Sequence, residues 1–109
     1  MIEQTIRDIC SALQKHKFQV KDETSELCPN DRTLYRDPMD HKGCTFQAEI
    51  TLVQVQDKVE ISGGIEVVGD DYYCSLFSCV DFADMEQLET LVKKFDVDKD
   101  SIYMMCKCT

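Results

Sequence analysis

An α+β fold is predicted by two periodicities and the way they are joined. Apolar residues alternate with polar ones through most of residues 44–82, recur at helical spacing over 2–13 and 85–95, and the alternating runs meet at tight turns. The expected order is α-β-β-β-β-α-β in one domain spanning 1–109, because 109 residues leave no room for a second core. An antiparallel sheet of four to five strands must cover one face, and the two helices are the only elements available to cover it.

The first helix is expected over residues 3–16, where Ile2, Ile6, Ile9, Cys10 and Leu13 form one stripe and Glu3, Arg7, Asp8 and Gln14 the opposite side. Phe18 and Val20 then begin a period of two, so FQVKDE reads as a short strand. Residues 23–43 break all periodicity, hold both prolines and read as one long irregular loop, a segment suited to partner contact.

From Cys44 the chain reads as a three-stranded meander. Phe46, Ile50, Leu52, Val59, Ile61, Ile65 and Val67 share the inward parity, while Glu49, Glu60 and Glu66 share the outward one. Val53 and Val55 fall on the outward parity, which predicts a bulge near Leu52 or a strand end covered on both sides. Gln56-Asp57 and Gly69-Asp70-Asp71 supply the turns, and Gly63-Gly64 predicts a bulge or a close backbone approach in the middle strand. In the third strand Tyr72, Cys74, Leu76, Val80 and Phe82 are expected inside, with Tyr73, Ser75, Phe77 and Cys79 outside. Asp84 and Gln87 resemble a capping box before a second helix with Leu88, Leu91, Val92 and Phe95 on its apolar face. The closing SIYMMCKCT alternates Ile102, Met104, Cys106 and Cys108 and reads as a last strand.

Charge narrows the function. Twelve Lys and Arg stand against twenty-one Asp and Glu, a net charge of −9. Direct binding to nucleic acid or anionic membrane is therefore disfavoured, and a basic protein surface is the natural partner. No run approaches the ~18 apolar residues of a membrane span, and MIEQTIRDIC lacks the basic start and apolar core of a secretory leader, so a cytoplasmic location is expected. Seven cysteines, an odd number without such a leader, read mostly as reduced thiols.

Catalytic and metal chemistry have little support. His16 and His41 are the only histidines, His16 reads as a helix-end residue, and no GxSxG, Walker, HExxH or GxGxxG motif is present, so no enzyme and no cofactor are expected. Cys28, His41 and Cys44 are the candidate zinc ligands, on the HxxC spacing of the last two, but no CxxC pair accompanies them.

The carboxylates carry the functional expectation. Glu49, Glu60 and Glu66 on the outer sheet face, with Asp57, Asp70 and Asp71 in its turns, can present negative charge to a basic groove. Tyr35, Tyr73 and Phe77 are the expected aromatic anchors. The expected function is a non-enzymatic inhibitor that occupies a nucleic-acid-binding surface of a partner such as a nuclease, the mode of phage anti-CRISPR proteins and toxin-immunity proteins. The alternatives are a small zinc-binding protein and a dimeric adaptor. The order of helix and meander resembles the type III secretion chaperones, which implies a homodimer that wraps an extended client, although the final strand expected here stands where that family has a helix.

Overall fold

Residues 2–21, 29–70, 72–79 and 85–107 are described by the computed structural model. Helix α1 (Ile2–Lys15) buries Ile6, Ile9 and Leu13, as its periodicity requires. It ends in a Schellman turn. Lys17 takes a left-handed conformation (φ 72°), the Phe18 N–H donates to the Leu13 carbonyl and the Lys17 N–H to the Gln14 carbonyl. This turn aims Phe18 into the core and starts strand β1 (Gln19–Val20).

Strands β2 (Arg32–Tyr35) and β3 (Met39–His41) lie within the segment expected to be irregular. Both pair with one side of β4 (Cys44–Val55), Tyr35 opposite Glu49 and Met39 opposite Phe46. Three residues separate these positions on the β2–β3 side and two on β4. The pair is therefore one strand with a bulge at 36–38, where Pro38 cannot donate to a ladder. The two-residue loop Lys42-Gly43 (φ 51° and 78°) is a type I′ turn that returns β3 into β4. β4 then pairs with β5 (Lys58–Val67), and β5 with β6 (Tyr72–Cys79), in the spatial order β1-β2-β4-β5-β6.

Every inward residue expected of β4 and β5 is buried. The bulge anticipated near Leu52 is absent, since β4 and β5 pair without a shift from Phe46–Val67 to Val55–Lys58, and Val55 stands exposed on the outer face. The register shift falls at Gly63/Gly64, where Gly63 pairs with Phe77 and Gly64 with Ser75, leaving Leu76 as the extra residue. This reverses the parity of β6 beyond Leu76. Phe77, expected as an exposed anchor, turns inward to 7% exposure and meets Phe95 edge-on at 5.8 Å. The missing Gly63 side chain makes the room: a Cβ there would lie 2.5 Å from Phe77 Cζ and 3.0 Å from Phe95 Cζ.

Helix α2 (Met85–Val92) continues into a 3-10 turn at Lys93–Phe95 and buries Leu88, Leu91, Val92 and Phe95. The expected capping residue Asp84 lies outside the described residues. The chain ends in helix α3 (Lys99–Lys107), not in the strand anticipated. Asp98 caps it, its Oδ1 accepting the Ser101 N–H at 2.7 Å. Ile102 and Cys106 are buried one turn apart, whereas Met104, which an alternating strand would place beside them, is 56% exposed.

The three helices contribute to one core with the inward residues of β4 and β5, so they share a sheet face. The opposite face has no helix over it among the described residues. No described helix is long and apolar enough to cross a membrane.

Candidate protein-binding face

The uncovered face is built by strand parity. Inward residues alternate with Lys21, Thr33, Tyr35, Gln47, Glu49, Thr51, Glu60, Ser62, Glu66, Tyr73 and Ser75, which belong to four neighbouring strands and the extension of β1.

Four of the expected site residues meet at its centre. Glu49 lies between Tyr35 on one side and Gly64 on the other, and the Tyr35 hydroxyl donates to its carboxylate. Glu66 is two residues from Gly64 and opposite Tyr73, which makes it a diagonal neighbour of Glu49. The Tyr73 ring covers Gly64: a Cβ there would fall 2.5 Å from Tyr73 Cζ and 2.6 Å from its hydroxyl. The glycine pair thus admits one aromatic ring on each side of the sheet, Phe77 within and Tyr73 without. Tyr73 is nevertheless 48% exposed.

This packing sets the local electrostatics. Partial burial, and then the charge of Glu66, hold the Glu49 carboxyl above its usual range, against the lowering effects of Tyr35 and Lys21. Burial and the Glu49 charge likewise push the Tyr73 hydroxyl up. Neither Glu49 nor Glu66 makes an ion pair among the described residues. A cation of the chain itself borders the face: Lys21 Nζ lies 5.4 Å from the centre of the Tyr35 ring. Beside it a shallow groove of about 410 Å³ runs between Lys21, Tyr35, Arg36, Asp37, Gln47 and Glu66.

The remaining expected residues are dispersed. Glu60 shares the face, but it stands six steps along β5 from Glu66, ~20 Å at strand rise. Asp57 and Asp70 occupy turns at opposite ends of β5. Asp71 lies outside the described residues, as does Cys28. His41 and Cys44 face each other across the β3–β4 turn, but His41 Nε2 is engaged by Asp100 Oδ1 at 2.7 Å. No three His, Cys, Asp or Glu residues converge as metal ligands among the described residues. Cys10, Cys44 and Cys74 are free thiols, and burial pushes the Cys10 thiol up.

Two features of the structure were not anticipated. Lys21 joins the face because FQVKDE continues its alternation past Val20, a signal present in the sequence. Arg36 links distant parts of the chain: its guanidinium carbon lies 4.7 Å from the Phe18 ring centre, Nε donates to the His16 carbonyl at 3.0 Å, and Nη1 pairs with Asp96 at 3.0 Å. It was hidden in a segment without periodicity.

Comparison with protein-family models, with curated proteins and with solved structures gives no match to this chain.

Proposed function

We propose that this chain is a non-enzymatic interaction domain that docks the open face of its sheet on a basic protein surface of the kind that otherwise holds nucleic acid, and so blocks it. One observation carries the reading. Tyr35, Glu49, Glu66 and Tyr73 converge on a face that no described helix covers, and among the described residues neither carboxylate is in an ion pair, although the Lys21 charge acts on Glu49. Two carboxylates held close on a partly desolvated surface repel each other, and an approaching guanidinium or ammonium relieves that repulsion. The exposed Tyr73 ring supplies stacking area and apolar contact at low entropic cost. The overall charge of −9 steers a basic partner toward the domain before contact.

Nuclease surfaces meet these requirements, since they carry the Lys and Arg that neutralise phosphate. The test is retention of purified basic nucleases by the immobilised chain, with nuclease activity measured in parallel. Association is expected to weaken at least tenfold between 50 and 500 mM salt, on the order of the screening such charge contacts undergo. Binding that is indifferent to salt would remove the electrostatic basis of the proposal.

A further inference from the structure

The two edges of the sheet are built differently. On one side β1 has two residues, and the β2–β3 strand beyond it is broken at Asp37-Pro38. Short strands, proline and charge are the devices by which soluble proteins keep foreign strands from adding to an edge. The other edge is β6, eight residues of sequence YYCSLFSC, with neither a charge nor a proline in a chain that is 30% charged. Among the described residues no strand pairs with its outer side. The bulge at Leu76 divides this edge, and the part from Tyr73 to Ser75 lies beside the paired carboxylates.

We propose that β6 receives an extended, arginine-bearing segment of the partner as an added strand. The inference rests on the open-face reading and specifies how the basic partner engages it. Backbone hydrogen bonds to an edge are indifferent to sequence, so specificity in such additions comes from alternate side chains lying on the sheet. A residue of the added strand directly opposite Tyr73 has its Cβ ~5 Å away on the same face. An arginine there lies along the Tyr73 ring, with its guanidinium directed inward toward Glu66 and Glu49. A planar guanidinium can stack on the ring and bond both carboxylate oxygens, whereas lysine offers only a point charge. A segment with acidic residues at the same parity would meet two carboxylates and be excluded. The uncharged edge and the charged face beside it thus select together for a strand that is basic on one side.

The test uses the full chain, isotopically labelled, and the peptide acetyl-(Thr-Arg)5-amide as probe. Controls are its Thr-Lys counterpart and a form N-methylated at every residue, which keeps the charge but cannot donate along a ladder. Amide hydrogen exchange between Tyr73 and Ser78 is expected to slow at least tenfold at outward-facing positions when the arginine peptide binds. N-methylation is expected to weaken binding at least tenfold, and both Tyr73→Ala and the lysine peptide about fivefold. If the methylated peptide binds as well as the parent, or β6 exchange is unchanged, strand addition is overturned. Retention of a basic nuclease in the same series would then leave the open-face reading standing. If neither peptide nor nuclease binds, both fall.

Discussion

Glu49 is the residue at which stability and the proposed docking pull apart. Its carboxyl is held above the usual glutamate value of 4.5 by burial and by Glu66, so the folded chain takes up a proton more readily than the unfolded one. A raised carboxyl favours folding at low pH, and that contribution is lost as the pH rises through the folded value. At neutral pH the charge therefore works against the fold. Glu49→Gln keeps an acceptor for the Tyr35 hydroxyl and is expected to raise the thermal midpoint at pH 7, with the gain shrinking as the pH approaches 4.5. A lower midpoint at pH 7 would mean that the carboxylate serves the structure and not a partner. Asp100 shows the opposite sign. Hydrogen bonds from His41 and Lys42 hold its carboxyl below the usual 3.8, so its contribution is present above that value and is lost in stronger acid. Asp100→Asn is expected to flatten that acid limb in pH-dependent unfolding and leave stability between pH 5 and 8 little changed in slope. The outward parity of Glu49 and Glu66 was legible in the sequence; their convergence was not, because strand register is set by partners distant in the chain.

At the level of elements, one glycine pair and one short helix separate what the sequence discloses from what it conceals. Gly63-Gly64 announced an irregularity, but not which strand would carry the extra residue. That residue is Leu76 in β6, and the consequence is that Phe77 belongs to the core and Tyr73 alone stands outside. Gly63→Ala would push a methyl group into the Phe77 and Phe95 rings and is expected to cost ~1–3 kcal/mol in denaturant unfolding. A neutral result would show that the two rings are loosely held. The closing segment misled because Ile102, Met104 and Cys106 satisfy a period of two, while Ile102 and Cys106 alone also satisfy one helical turn. The cap at Asp98 was the local signal that decides between them. Asp98→Ala is expected to lose about 1 kcal/mol, typical of a vacated N-cap, whereas an unchanged unfolding midpoint would mean that tertiary packing alone fixes α3.

For the whole molecule, the fold divides the acidic charge into two populations. Helix- and turn-borne carboxylates such as Glu89, Asp96 and Asp100 pair with His16, Arg36 and the His41–Lys42 turn, and thereby tie α2, the turn after it and α3 to the rest of the chain. Among the described residues Glu49 and Glu66 make no such pair and sit on the face without a helical cover. Composition alone gave the net charge and the expectation of a basic partner; only the pairing of strands separates charge that fastens the fold from the charge proposed to meet another molecule. The long segment 23–43 was half legible for the same reason, since β2 and β3 are too short for periodicity to reveal and are strands only because β4 lies beside them.

The most direct test of the docking face compares two double variants that remove the same charge. Glu49→Gln with Glu66→Gln neutralises the sheet centre, and Glu3→Gln with Glu86→Gln neutralises two exposed helix positions. Affinity for a basic nuclease retained by the parent chain is expected to fall at least tenfold in the first and to stay within about twofold in the second. Equal losses in the two variants would contradict a docking face and leave only the attraction of a basic protein to net negative charge.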